Sequence, residues 1–146
     1  NGLAARFKEQ DVRPTGRSAQ GVRGIRLKEK DEVIGMEVAS DEKTLLSVTE
    51  NGYGKRTPIS DYRLINRGGS GVINIQCSER NGNVVSICSL TDNDGIILIS
   101  KNGIVIRVPA TDISVIGRNT QGVRIMKLEE NDKVVAAVKV PRENGN

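Results

Sequence analysis

The chain has 146 residues, of which 36% are hydrophobic and 27% are charged, with a formal net charge of +4. This composition excludes a disordered chain, and no apolar run approaches the roughly 20 residues of a membrane span. Histidine and tryptophan are absent, so the commonest general base and metal ligand are missing, and we predict no catalytic residue, metal or cofactor.

The chain repeats itself at a spacing of 50 to 51 residues. An Asn-Gly pair is followed by an arginine, an aspartate and an Arg-x-x-x-Gly-Val motif. The equivalent residues are Asn1-Gly2, Arg6, Asp11, Arg17 and Gly21; Asn51-Gly52, Arg56, Asp61, Arg67 and Gly71; Asn102-Gly103, Arg107, Asp112, Arg118 and Gly122. Repeats of this length are typical of stacked or radial arrays. We therefore expect a single domain over residues 1–146, with repeats at about 1–50, 51–101 and 102–146.

Each repeat contains short β-branched runs bounded by Gly, Asn and Asp, which predict strands. In chain order these are Gly21–Leu27, Val33–Ala39, Thr44–Glu50, Tyr53–Ile59, Gly71–Cys77, Val84–Leu90, Ile96–Lys101, Ile104–Pro109, Gly122–Leu128 and Val134–Val140. Asn51-Gly52 and Asn102-Gly103 predict hairpins with type I′ turns. Four strands in about 50 residues are typical of a propeller blade. The predicted fold is all-β, with about three four-stranded blades.

Basic residues are separated from acidic ones in register with the repeat. The windows 12–28, 62–78 and 113–128 carry basic residues without any acid. This pattern predicts a basic stripe flanked by acidic turns, and an ordinary charged surface is the alternative. The glycines of the loop between the aspartate and the Arg-x-x-x-Gly-Val motif, as in Asp61 to Gly71, could let the backbone approach a ligand or allow two blades to cross closely, and both roles can hold together.

The two cysteines, Cys77 and Cys88, lie in strand-like runs. We interpret them as small buried hydrophobic residues, because two cysteines without histidine are too few ligands for zinc. Free thiols fit a reducing cytoplasm.

Four runs resemble the C-terminal domain of the bacterial DNA gyrase A subunit, within the gyrase A and topoisomerase IV A family. They are 13–17 (RPTGR), 21–27 (GVRGIRL), 49–57 (TENGYGKRT) and 117–123 (GRNTQGV). The similarity extends over essentially the whole chain. The stretch 66–71 departs from the family's basic heptapeptide, the gyrase A box, because it lacks the leading glutamine and has Ser70 at a basic position. The resemblance implies that the box itself lies upstream of Asn1 and that the chain is part of a longer protein.

The resemblance implies a β-pinwheel, a propeller in which neighbouring blades exchange a strand, with a basic rim that bends and wraps duplex DNA. It further implies a non-catalytic part of an ATP-dependent type II topoisomerase. Expected partners are double-stranded DNA, the rest of the gyrase A polypeptide and the gyrase B polypeptide in an A2B2 holoenzyme, at the bacterial nucleoid in the cytoplasm. The cleaving tyrosine would lie outside this chain, so Tyr53 and Tyr62 do not inherit that role.

Recurrence and charge select the candidate DNA contacts. They are Arg17, Arg67 and Arg118 in the recurrent loop, with Arg23, Arg26, Lys55, Arg56, Arg124 and Lys127 around them. The arginines at 6, 56 and 107 could instead form salt bridges with Asp11, Asp61 and Asp112. The scarcity of aromatic residues favours duplex over single-stranded DNA.

Three alternatives remain open at the level of the sequence. The chain could be the DNA-positioning domain of topoisomerase IV, or a propeller that binds only protein. An open array of blades would also expose strand edges, and a homodimer could then complete a larger ring.

Overall fold

The computed structural model describes residues 1–141, and within them the chain forms nine β-strands and three 3-10 turns but no α-helix. The strands are β1 (Leu3–Ala4), β2 (Thr44–Thr49), β3 (Tyr53–Pro58), β4 (Val72–Ile73), β5 (Val84–Leu90), β6 (Asp94–Ser100), β7 (Val105–Pro109), β8 (Val123–Arg124) and β9 (Val134–Pro141). The 3-10 turns are Glu9–Asp11, Ile59–Asp61 and Ala110–Asp112. Each 3-10 turn ends at the recurring aspartate, and the all-β prediction is confirmed.

Two hairpins, β2–β3 and β6–β7, occupy equivalent places in successive repeats. In each hairpin the glycine donates its N–H to the residue that ends the first strand, Gly52 to Thr49 O at 3.1 Å and Gly103 to Ser100 O at 3.0 Å. Both glycines have positive φ, 85° and 88°, whereas neither Asn51 nor the equivalent Asn102 does. The predicted type I′ turn is therefore wrong, because it requires positive φ at two residues. A three-residue loop that ends in a left-handed glycine is a type I turn followed by a bulge.

The sheets are completed by strands exchanged between repeats. The four-stranded sheet has the order β5-β2-β3-β8, so its last strand comes from the following repeat. The same exchange pairs β4 with β1, and the remaining sheet has the order β7-β6-β9. The two exchanged pairs have equivalent registers, Ala4 opposite Val72 and Gly54 opposite Val123. The strand exchange that the resemblance implied is thus present twice.

Glycine is required where the exchanged strands begin. Gly122 has a φ of 80°, and a Cβ at this position would lie 2.8 Å from Gly54 O. Gly71 has a φ of 83°, and its Cβ would lie 2.7 Å from Ala4 O. A side chain would therefore be both strained and in collision with the neighbouring strand. These contacts support the interpretation of a close crossing between blades.

The main core lies between the four-stranded and three-stranded sheets. Leu46, Val48, Leu90, Ile96 and Leu98 are fully buried in it. Strand β5 packs against β9, so each sheet covers the apolar face of the next. Burying each of these side chains contributes about 1.5–3 kcal/mol. The repeats therefore cohere through a shared core, as expected for an array of blades.

The recurring arginines join neighbouring repeats through backbone carbonyl groups and distant carboxylates. Arg6 donates to Ile59 O at 3.0 Å and forms an ion pair with Asp41 at 2.8 Å. Arg56 makes the equivalent contacts, with Ala110 O at 3.1 Å and Asp92 at 2.8 Å. Both arginines therefore have a structural role, which is to join neighbouring repeats.

The predicted salt bridges between the recurring arginines and the aspartates that follow them in the sequence are wrong. None of the ion pairs found within residues 1–141 involves Asp11, Asp61 or Asp112. The 3-10 turn presents a backbone carbonyl to the arginine in place of the carboxylate that ends the turn. Arg107 donates to Pro141 O at 2.5 Å instead.

Several predicted strands are shorter than expected or do not form. Gly71–Cys77 and Gly122–Leu128 reduce to the two-residue strands β4 and β8. Gly21–Leu27 and Val33–Ala39 are not strands, and no described strand pairs with either segment. Their equivalents β4, β5, β8 and β9 each pair with an earlier strand of the chain, and strand hydrogen bonds cannot form without such a partner. None of the helical turns in residues 1–141 could cross a membrane.

Candidate nucleic-acid interface

The loop that carries the recurrent arginine lies on the preceding repeat, along what we term a seam. At the first seam, loop 67–69 contacts segment 23–26, with Gly68 N donating to Gly24 O at 2.6 Å and Arg26 N to Gly69 O at 2.8 Å. At the second seam, loop 117–120 contacts segment 73–76, with Gln76 N donating to Thr120 O at 2.8 Å. Each seam fixes the loop through backbone atoms.

The recurrent arginine spans each seam in the same way. Arg67 donates through its guanidinium to Arg23 O at 3.0 Å and to Asp11 O at 2.9 Å. Arg118 donates to Ile73 O at 2.8 Å, and position 73 is the equivalent of position 23. These bonds use one or two of the five donors on each guanidinium. Both side chains are half-buried, so their charge is held at the surface in a fixed place.

The nine predicted contact residues divide into three groups by burial. Arg17, Arg23, Arg26, Arg124 and Lys127 are exposed. Arg67 and Arg118 are half-buried at the seams, whereas Lys55 and Arg56 are buried. Charge recurrence in the sequence therefore identified seven residues that a ligand could reach and two that face the interior.

Lys55 is fully buried, and its ammonium group holds the loop of the second seam from inside. Its Nζ lies 2.7 Å from both Gly117 O and Arg118 O, and 3.0 Å from Thr120 Oγ1. Burial, and secondarily the charge of Arg118, lowers the pKa of Lys55 to about 8. All three of its donors are occupied by the protein, so Lys55 orders the loop and has no donor left for a phosphate.

Arg56 is only 3% exposed, and its guanidinium is held by groups of the protein. Its Nε donates to Thr44 Oγ1 at 2.9 Å, in addition to the contacts with Ala110 and Asp92 described above. Burial argues against direct contact between DNA and either Arg56 or Lys55. The prediction that these two residues bind DNA is not retained.

The first seam gathers more positive charge than the second. It brings together Arg23, Arg26 and Arg67, whereas Ile73 and Gln76 replace the first two of these at the second seam. Positive charge returns one repeat later at Arg124 and Lys127. None of the seven accessible residues takes part in the ion pairs found within the described chain. Their charges are thus not neutralised by neighbouring carboxylates.

Arg80, which the sequence pattern does not single out, lies beside Arg124. The guanidinium groups of both residues reach the hydroxyl of Tyr53. Arg80 stands outside the Arg-x-x-x-Gly-Val motif, and its equivalents in the other repeats are Lys30 and Asn131. No recurrence could have identified it.

Comparisons with known proteins agree with this architecture. The family described as the DNA gyrase C-terminal domain, a beta-propeller, matches residues 1–40, 43–96 and 94–141. The DNA gyrase A subunit of Staphylococcus epidermidis is 48% identical over 143 residues, covering 97% of this chain and 16% of that protein. Its counterpart in Staphylococcus aureus is 47% identical over 140 residues, covering 94% of this chain and 16% of that protein. The chain thus spans about one-sixth of the length of these curated relatives.

Solved structures show the same fold over nearly the whole chain. A structure of the DNA gyrase A C-terminal domain superposes with a TM-score of 0.87 at 34% identity, covering 94% of this chain and 47% of that one. The C-terminal domain of DNA topoisomerase IV gives a TM-score of 0.90 at 26% identity, covering 98% and 45%.

Proposed function

Because the chain belongs to the DNA gyrase C-terminal domain family, we propose that it binds and bends duplex DNA as part of a gyrase A polypeptide. The observation that carries the proposal is the pair of equivalent seams, each of which fixes an arginine against the preceding repeat. Repeated fixed charges along an array provide phosphate contacts at regular intervals. Such contacts give affinity without reading the base sequence.

Bent duplex DNA fits this arrangement better than other nucleic acids do. Bending 20–30 base pairs costs on the order of 1–6 kcal/mol, which extra phosphate contacts offset. Single-strand binders rely on several aromatic stacking platforms, and here Tyr53 and Tyr62 are buried. The described residues contain no α-helix that could enter a major groove. The proposed contacts are the seven accessible basic residues defined above.

In this proposal the chain supports negative supercoiling but performs no chemistry itself. ATP hydrolysis and DNA cleavage belong to other parts of an A2B2 type II topoisomerase in the bacterial cytoplasm. Both tyrosine hydroxyls are engaged, that of Tyr62 with Asn74 and that of Tyr53 with two arginines. Burial raises the pKa of Tyr62 to about 12, which opposes formation of a nucleophilic phenolate.

The test is a titration of the chain onto long duplex DNA at several salt concentrations. The logarithm of the affinity should fall linearly with that of salt, by about 0.9 per neutralised phosphate. The triple variant Arg23→Ala, Arg26→Ala, Lys127→Ala removes three exposed charges, and we expect its slope to fall by about 2–3.

The matched control removes the same charge outside the acid-free windows, at the exposed residues Lys8, Lys101 and Lys139. Its slope should equal that of the parent chain. An equal decrease of the salt slope in both variants would show that the effect depends only on net charge. An absence of salt-dependent affinity in the parent chain would overturn the proposal and favour a protein-binding propeller.

The fit to topoisomerase IV favours a second candidate, a domain that positions DNA without wrapping it. The structures superpose at a TM-score of 0.90, but sequence identity is 26%, against 34% for the gyrase domain and 47–48% for the full-length gyrase A proteins. Linking-number changes in the holoenzyme separate the two candidates. Introduction of negative supercoils supports gyrase, and relaxation alone supports topoisomerase IV.

A further inference from the structure

Two arginines from different parts of the chain converge on one tyrosine hydroxyl. Tyr53 on β3 lies directly opposite Arg124 on β8, the strand contributed by the next repeat. Arg80 reaches the same place from the turn before β5. Its Nε donates to the Tyr53 hydroxyl oxygen at 3.0 Å, and an N–H of Arg124 donates to that oxygen at 3.2 Å. The Cζ atoms of Arg80 and Arg124 also lie 5.2 and 5.4 Å, respectively, from the centre of the Tyr53 ring.

Tyr53 provides a rigid support for this pair. Only 4% of the residue is exposed, because the arginines and the surrounding sheet cover it. A guanidinium is attracted to the face of an aromatic ring and to a hydroxyl lone pair, and Tyr53 offers both. It therefore holds two cations together that would otherwise repel each other.

The pair carries positive charge without a carboxylate partner. Neither arginine takes part in any of the ion pairs found within residues 1–141, and both side chains are exposed. The hydrogen bond from Arg80, then that from Arg124, lowers the pKa of the Tyr53 phenol, which reports a positive local field. Each guanidinium uses one of its five donors on Tyr53. The remaining N–H groups of the two planar guanidinium groups are free to donate to the oxygens of a tetrahedral anion such as a phosphate.

This cluster occurs in one repeat only. The equivalents of Tyr53 are Leu3 and Ile104, and those of Arg80 are Lys30 and Asn131. A general requirement of the fold would have retained the tyrosine in every repeat. The cluster is thus a local feature of the blade formed by β5, β2, β3 and β8.

We propose that Arg80 and Arg124, positioned by Tyr53, form a binding site for one backbone phosphate of duplex DNA. The inference rests on the proposed function, since it adds a fixed contact to the basic residues already described. A free phosphate ion shares the same chemistry, and the experiment separates the two sources. Tyr53 acts here as a positioning residue and the two arginines as the contacts.

The first arm measures duplex affinity against salt for the double variant Arg80→Ala, Arg124→Ala. Because both side chains are exposed, the variant should fold normally. We expect its affinity to fall at least about tenfold and its salt slope to decrease by about 1. The control is the exposed pair Lys101→Ala, Lys139→Ala, which removes the same charge and should leave the slope unchanged. The variant Tyr53→Phe keeps both charges and the ring face but removes the hydroxyl that both arginines bind, so it should weaken binding while preserving the slope.

The second arm follows the Tyr53 phenol by carbon-13 NMR as pH is raised. Its signal is separable because the other tyrosine has a pKa of about 12. Bound phosphate neutralises the guanidinium groups, so adding duplex should raise the pKa of Tyr53 in the parent chain. Inorganic phosphate at the same phosphate concentration should leave it unchanged. A rise with inorganic phosphate but not with duplex would overturn the proposal.

The two proposals fail in different ways. If the parent chain does not bind duplex at all, the proposed function falls and this site falls with it. If the parent chain binds duplex but the arginine variant binds as tightly as its control, only the site is overturned.

Discussion

Arg56 provides the sharpest test of how the repeats are joined. It is 3% exposed and donates to Thr44 Oγ1, Ala110 O and Asp92. Thr44 begins β2, whereas Ala110 begins the 3-10 turn of the following repeat. Arg56→Ala would therefore sever a connection between repeats and remove one of the two donors to the buried Ala110 O, which keeps the N–H of Ile113.

The structure indicates the size of the loss. Loss of the hydrogen bonds from this charged donor costs about 1.5–3 kcal/mol. The ion pair adds only about 0–1 kcal/mol, because the Asp92 side chain is 76% exposed and screened by water. Removal of the arginine stem also opens a cavity in a packed region. We expect the free energy of unfolding to fall by about 3–4 kcal/mol, a large part of the stability of a typical domain.

Urea unfolding followed by circular dichroism measures this loss, with Asp92→Ala as the matched control. The control should cost less than about 1 kcal/mol, and both variants should keep the m-value of the parent chain. Where it is folded, Arg56→Ala should retain the parental salt slope for duplex binding, since a buried group makes no phosphate contact.

Two results would refute the reasoning. A loss below about 1 kcal/mol would show that the hydrogen bonds of Arg56 contribute little to the joining of the repeats. Equal losses in Arg56→Ala and Asp92→Ala would place the energy in the exposed ion pair, contrary to the expected effect of solvent screening.

Burial lowers the pKa of Lys55 to about 8, so carbon-13 NMR should show this side chain titrating near that pH. Because the pKa of lysine in the unfolded chain is about 10.4, the free energy of unfolding should rise between about pH 8 and pH 10.5. The variant Lys55→Met should abolish this rise. Gly122→Ala should lower the free energy of unfolding by at least about 2 kcal/mol, because φ is 80° and the new Cβ meets Gly54 O at 2.8 Å. Gly117→Ala, with open space around it, should cost less than about 1 kcal/mol in the same assay. Burial raises the pKa of the Cys88 thiol to about 11, so only about one molecule in a thousand carries the thiolate at pH 8. Because Cys77 is also free and only half-buried, rapid reaction with a thiol reagent in the folded Cys77→Ser variant would contradict this placement.

The local elements were largely predictable because their signals are local. Strand β5 has the predicted bounds, Val84–Leu90, and β3 differs from its prediction by one residue. The β-branched run and the Asn-Gly turn lie within a few residues of each other, so propensity alone locates such a hairpin. The predicted type I′ turn was wrong because that turn needs positive φ at two residues, and only the glycine of each Asn-Gly pair adopts it.

The segment Val33–Ala39 shows where local signals end. Its sequence is rich in strand-forming residues, as are those of β5 and β9, yet no described strand pairs with it and it remains irregular. A strand is stabilised by hydrogen bonds to another segment, which its own sequence cannot supply. Propensity therefore predicted a strand that the described chain does not form.

The sequence by itself determined the repeat, the all-β fold, the family resemblance and the recurrence of positive charge. Only the tertiary structure decided which charges are accessible. Lys55 and Arg56 resemble Arg23 and Arg26 in the sequence, but packing between repeats buries the first two and leaves the others exposed. Arg80, Tyr53 and Arg124 meet for the same reason, since β8 arrives from the next repeat. Burial and convergence depend on contacts between distant segments, and a pattern read along the chain does not contain them.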